Sequence, residues 1–260
     1  MARPDEARPE AGWADVLIAL TSSDLRARYG RGRFRLIKWL LDPYALVGIY
    51  LLLVVTLLDR STEAAGLSLA CAIVPFQIVT MTVVNAMGAV DLRASILLNM
   101  AFRRNLMPVS TALTEGIAFG ASASLLALMM VIYSVPPTVA ILWLPLIVAV
   151  NFLLAIACAF PATLFGVWFV DLRPFAVSFM RALFFLAPGL IPLSQIHGSA
   201  HDLVRLNPLS GLFEAYRDAL LYGQAPAAWE LLVPIGFSLG LLAIFVPVYR
   251  REQRHFAKLL

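Results

Sequence analysis

Asp24–Leu58, DLRARYGRGRFRLIKWLLDPYALVGIYLLLVVTLL, decides the fold. Its first part is cationic, with Arg26, Arg28, Arg31, Arg33, Arg35 and Lys38 inside thirteen residues. From Pro43 to Leu58 there is no charge at all. A basic collar running into an apolar helix anchors a first membrane span on its cytoplasmic side, because Lys and Arg are retained there and the first span usually sets the orientation. The N-terminus is therefore expected inside, and each later loop takes its side by counting spans.

Composition agrees. The chain has 260 residues, 61% hydrophobic and only 14% charged, with a mean hydropathy of +0.84. A soluble domain carries roughly a quarter charged residues, so an integral membrane protein is expected, all-helical because its apolar runs are of helix length. The net charge of +4 reflects cations gathered on one side, not a nucleic-acid surface. Cys71 and Cys158 fall inside apolar runs and read as small buried hydrophobes without disulfide or metal. MARPDEARPEAG, residues 1–12, reads as a disordered tail. No apolar core follows its charges, so it is not a signal peptide.

Outward from the collar, Trp13, Val16, Leu17 and Leu20 fall on one helical face. That segment is too short to span and reads as an amphipathic helix in the cytoplasmic interface, in preference to one packed on the protein. Thr21-Ser22-Ser23-Asp24 offers cap chemistry for a second short helix before the collar. Six spans follow, near Trp39–Leu58, Ala65–Met87, Pro108–Tyr133, Val139–Val170, Phe175–Leu193 and Leu231–Val248. Pro145 and Pro161 are candidate kinks in the fourth. Pro188, Gly189 and Pro192 break the fifth near its end. Sixteen of the twenty Lys and Arg residues then lie on cytoplasmic segments, which places both termini inside. The division is a tail (1–12), an interfacial helix and collar (13–38), a transmembrane domain (39–248) and a basic tail (249–260).

Two segments between spans stand out. Asp91–Asn105, with Leu92, Ile96, Leu97 and Met100 at helical spacing, is the longest inner loop. Pro208–Tyr222 reads as an amphipathic helix on the outer side. Its fifteen residues reach ~22 Å, short of the ~30 Å hydrocarbon core. With the ragged end of span 5 it reads as re-entrant, in preference to a loop lying flat, because broken backbone at membrane depth needs protein or water to cover it.

The order of motifs resembles the membrane subunit of ABC-2-type exporters of polysaccharides and lipid-linked glycans such as O-antigen, teichoic acid and capsule. The matching pieces are Asp24–Tyr29 followed by Trp39–Pro43, then Phe102–Pro108, Val170–Arg173, Pro188 with Pro192-Leu193-Ser194, Asn207-Pro208-Leu209 with Glu214–Arg217, and the basic tail. The chain departs from the family pattern in its Gly- and Arg-rich collar and in lacking a proline after Phe102. The resemblance implies a half-transporter in the bacterial cytoplasmic (inner) membrane. It implies a second copy of the chain, two copies of a cytoplasmic ATPase subunit carrying ATP and Mg, a lipid-linked glycan as substrate, surrounding membrane lipid, and no nucleic acid. The chain itself is expected to need no cofactor. It has no G-x-x-x-x-G-K-[ST] phosphate cradle and is not expected to be an enzyme. The inner loop, through Arg93, Leu97, Met100, Arg103 and Arg104, is the expected ATPase contact, since a short apolar helix face flanked by charge suits a cleft on a soluble partner. Small-molecule export by an ABC-2 permease and an intramembrane enzyme acting on lipid-linked sugars are the competing readings. The second would need acid, base or nucleophile groups converging at one face, and none stands out.

Two charges inside spans need an account. Glu115 and Arg181 each follow the proline that opens its span by seven residues, ~10 Å in from the cytoplasmic end. An ionisable group within a span is functional by default. One reading pairs them across spans 3 and 5, as a structural ion pair or as a counter-charge. Another sets Arg181 on the channel wall against an anionic diphosphate or sugar acid. Tyr44, Phe76, Phe179 and Phe185 are candidates for stacking on sugar rings, against the plainer reading of packing. Glu214 and Arg217 read as an i, i+3 pair worth a few tenths of a kcal/mol. His197 and His201 read as incidental loop residues rather than metal ligands.

Overall fold

The computed structural model describes residues 12–29, 41, 44–45, 47–49, 52, 64–93, 104–190, 192–196, 199–253 and 256. The collar beyond Tyr29, most of the first span and Leu97, Met100 and Arg103 lie outside them. The few described residues of the first span are helical.

Seven principal helices follow in order, and no strand occurs among the described residues. They are α1 (Trp13–Tyr29), α2 (Ala65–Met87), α3 (Leu106–Ile132), α4 (Leu144–Trp168), α5 (Ala176–Leu186), α6 (Pro208–Arg217) and α7 (Ala228–Glu252). Four stretches, Ala65–Met87, Leu106–Ile132, Val139–Trp168 and Ala228–Glu252, are long and apolar enough to cross a membrane. They coincide with expected spans 2, 3, 4 and 6. The expected fifth span is shorter than read: α5 has 11 residues, or ~16 Å. It stops because Ala187, which precedes Pro188, takes an extended conformation (φ −85°, ψ 155°), as the residue before proline prefers. Pro145 lies in the first turn of α4, where a missing N–H is harmless, so it starts that helix instead of kinking it.

α1 is one continuous helix, not two. Ser22 Oγ donates back to the Ala19 carbonyl at 3.0 Å, a bond made within a helix. Asp24 is drawn away from capping into an ion pair with Arg93. α1 packs along α3, burying Leu20 and Thr21 and leaving Trp13 and Ile18 exposed.

α2 is the centre of the bundle, against α3, α4, α5 and α6. Its Leu67, Ala70, Cys71, Ala72 and Val74 are fully buried. Lipid is as apolar as a side chain, so helix association in a membrane rests on close van der Waals packing, which small residues permit. Ala155, Ala157, Ala159 and Gly166 supply that surface on α4. At Gly166 a Cβ would lie 2.0 Å from the Met87 carbonyl oxygen, so two backbones touch there. The outer faces of α3, α4 and α7 carry exposed Ile117, Leu128, Leu146, Leu232, Phe237 and Ile244, which hydrocarbon covers without penalty.

Segments assigned to one side by parity meet at one end of the bundle. At the end assigned inside, Arg93 pairs with Asp24, Arg173 pairs with Asp91, and Arg104 donates to the Gln253 carbonyl. At the opposite end Tyr133 Oη accepts from the Gly66 N–H at 3.2 Å.

Candidate functional site

The densest polar construction joins α6 to the broken chain after α5. Asn207 caps α6, accepting from the Leu209 N–H at 3.0 Å, and Pro208 follows in the first turn, where its φ is preset. These two residues place Arg217 two and a half turns on, where it is fully buried. Its guanidinium donates to Glu214 Oε1 at 2.6 Å, Ser68 Oγ at 3.1 Å, the Pro188 carbonyl at 3.0 Å and the Gly189 carbonyl at 3.1 Å. Glu214 Oε1 also accepts from the Leu193 N–H at 2.9 Å. The pair is thus not a surface i, i+3 contact of a few tenths of a kcal/mol. It is desolvated, and it satisfies both carbonyls and an amide of backbone that proline took out of the helix. Irregular backbone at membrane depth requires that satisfaction, and five donors in a rigid fork are what arginine supplies.

Beyond Arg217, α6 runs on as a π turn, Asp218–Tyr222. Burial pushes the Asp218 carboxyl up to about 6, with repulsion from Glu214 adding and a hydrogen bond from Glu230 opposing.

Of the expected path residues, Arg181 lies on the exposed side of α5, at a small cavity of about 110 Å³ between α2 and α5. Ile73, Phe76, Gln77, Thr80, Met81, Val177 and Phe184 also line it. Arg181 has no hydrogen-bond or ion-pair partner among the described residues. Glu115 on α3 is buried and accepts from Asn85 Nδ2 at 2.9 Å. Glu115 and Arg181 therefore belong to different settings, although their depths match. Tyr44 and Ser124 share a hydrogen bond at 3.0 Å. Phe76 is a core ring, 5.0 Å from Phe184 and 6.2 Å from Phe213 between centroids. Phe185 is exposed and meets Phe184 edge-on at 5.8 Å. Phe179 lines a second, larger cavity of about 700 Å³, with Val83, Leu154, Phe165, Phe175 and Leu209.

At the end assigned inside, the two described arginines of the expected ATPase contact are tied within the chain. Arg93 is buried, pairs with Asp24 and donates to the Met107 carbonyl at 3.2 Å. Arg104 bonds the Gln253 carbonyl, and its own carbonyl accepts from Tyr249 Oη at 3.1 Å. The two ends of the inner loop are therefore pinned, one to α1 and α3, the other to α7. His201 Nδ1 lies 3.4 Å from Asp202 Oδ1, and His197 lies outside the described residues.

The residues that reading the sequence missed are Gln77, Thr80, Asn85 and Ser68. Each is a single uncharged polar group in an apolar run, and the available signal was their spacing. Gln77 and Thr80 are i, i+3 and share a face.

Four membrane-length helices, α2 among them at the centre of the bundle, with a break repaired by buried charges, define a multi-pass α-helical membrane protein. No family model matches the chain. It is similar to the O-antigen export system permease protein RfbA of Myxococcus xanthus, with 25% identity over 246 residues, 94% of each chain. Two proteins of the same name from Klebsiella pneumoniae are 21% and 20% identical over 248 residues, 95% of each chain. These end-to-end matches bear out the kinship with polysaccharide-export permeases that the order of motifs indicated.

Proposed function

We propose that this chain is the transmembrane subunit of an ABC transporter that exports a polysaccharide across the bacterial cytoplasmic membrane. The observation that carries the reading is the match over about 95% of the chain to permeases named for O-antigen export. The missing phosphate cradle fits a subunit whose ATP is hydrolysed elsewhere. In the full reading there are six spans with both termini inside, Trp39–Leu58 being the first and α5 the core of the fifth. Two copies enclose the path, two copies of an ATPase dock at the inner loop, and the glycan arrives lipid-linked. Arg181 faces that path. It has no partner among the described residues, and a guanidinium set against hydrocarbon in a span costs several kcal/mol, so its exposed position on α5 fits a wet or glycan-filled channel better than a lipid-facing wall.

Deleting the gene in its own host tests the reading. Surface polysaccharide is expected to disappear while full-length chains accumulate inside, and the intact gene is expected to restore export. Unchanged surface polysaccharide in the deletion strain would contradict it.

A further inference from the structure

The larger cavity, about 700 Å³, lies on the flank of α5 away from Arg181. Phe179 and Leu183 line it, each two residues from Arg181 and so ~200° round the helix from it. α5 packs chiefly on α2 and faces α4 and α7 across this space, where Cys158 and Leu241 form the far wall. Asn207 is the one polar side chain among the lining residues, and its Oδ1 is taken by the Leu209 N–H at 3.0 Å. Water does not settle in such a space, because it needs two to four polar partners. Phe165 and Phe237 line the cavity and are also exposed. The space is therefore continuous with the outer faces of α4 and α7, which hydrocarbon covers.

We propose that this cavity is the site of one phospholipid acyl chain from the cytoplasmic leaflet, packed between α5 and the α4–α7 face. The inference rests on the membrane-spanning fold and not on export. Shape selects the occupant. Along α4 the lining runs from Leu154 to Phe165, ~16 Å at 1.5 Å per residue, about the depth of one leaflet of a ~30 Å hydrocarbon core. Volume over length gives a mean cross-section of roughly 40 Å², about half that of a helix 10 Å across. A further helix, from this chain or a second copy, is too thick, and a sugar would find no polar partner. A hydrocarbon chain satisfies both limits. The cavity reaches the end assigned inside at Phe169 and Leu172, in the turn after α4, and the start of α6 lines its other end. The lipid is one of the bilayer and not the exported molecule, since α5 stands between the cavity and Arg181. Its contacts complete the packing of an 11-residue helix, as close van der Waals contact must within a membrane.

The test uses the full chain in vesicles of phosphatidylethanolamine doped with the same phospholipid carrying a photoactivatable diazirine on one acyl chain. Illumination is expected to label Cys158, Phe179 and Leu183 about tenfold more than the outward-facing Leu232 and Ile244, one decade of preference for a site over the surrounding bilayer. Cys158→Phe, which puts a ring into the space, is expected to abolish that excess, and Val83→Phe should do so from α2. In detergent, added phosphatidylethanolamine should raise the parent's melting temperature by roughly 5 °C or more and leave the filled variants unmoved. Even labelling of cavity and outer face would overturn the proposal, as would cavity labelling unchanged in both folded variants or a parent whose melting temperature ignores the lipid. So would cavity labelling by a diazirine polyprenyl phosphate and not by the phospholipid, because the occupant would then be an isoprenoid. If neither variant folds, labelling of the parent alone decides.

Discussion

Arg217→Met is expected to remove nearly all folded protein from the membrane. The substitution keeps the length and apolar stem but strands the Glu214 carboxylate, Ser68 and the carbonyls of Pro188 and Gly189, all now bonded to the guanidinium. Losing one partner of a buried ion pair costs ~3–5 kcal/mol, a large share of the ~5–15 kcal/mol that holds a typical fold. Arg217→Lys should retain part of the stability, because an ammonium keeps the charge but cannot span four acceptors on a planar fork. Thermal unfolding of the detergent-extracted protein gives the order parent, Lys, Met. A Met variant as stable as the parent would mean that the pair does not hold the broken segment to α2.

Gly166→Ala is expected to be nearly as damaging, although it adds one methyl group. The new carbon would sit 2.0 Å from the Met87 carbonyl oxygen and 2.5 Å from its Cα. Backbone cannot rotate aside as a side chain can, so α2 and α4 must part, at a cost of ~1–3 kcal/mol or more for overpacking. The same separation would disturb the bond from Arg173 Nε to the Gly166 carbonyl, 2.8 Å. Gly120 and Gly240 are controls on other helices, since a Cβ there meets nothing within 4 Å. Their alanine variants should match or exceed the parent, alanine being the better helix former by ~1 kcal/mol in water. Equal melting temperatures for all three variants would refute the close approach of α2 and α4.

Sequence alone carried some of this architecture well. Local chemistry sufficed for α6, where Asn207-Pro208 announces a helix start and apolar spacing carries it to Tyr222; the structure ends its helical turns at that residue. Hydropathy sufficed for the four long helices. It did not reveal how short α5 is, because an apolar run reads alike whether helical or extended, although Pro188 marked the stop. The role of Arg217 was not legible. Its partner Ser68 lies 149 residues away, and an arginine on an amphipathic helix reads as its solvent face until α2 and the Pro188–Leu193 chain are seen to cover it. Likewise Asp24 meets Arg93 across 69 residues, so a cap-like residue became a tie between α1 and the inner loop. Matched depth suggested that Glu115 and Arg181 meet. Depth fixes one coordinate only, and rotation about the helix axis gave Glu115 to Asn85 and Arg181 to Gln77 and Thr80 across the cavity.

Inverted membrane vesicles test the export reading most directly. Vesicles from the native host present the cytoplasmic face outward, with lipid-linked glycan accessible to an added glycan-degrading enzyme. Addition of ATP is expected to move that glycan into the lumen and protect it, and vesicles from the deletion strain should show no protection. Equal glycan protection with and without this chain, or protection indifferent to ATP, would contradict the account.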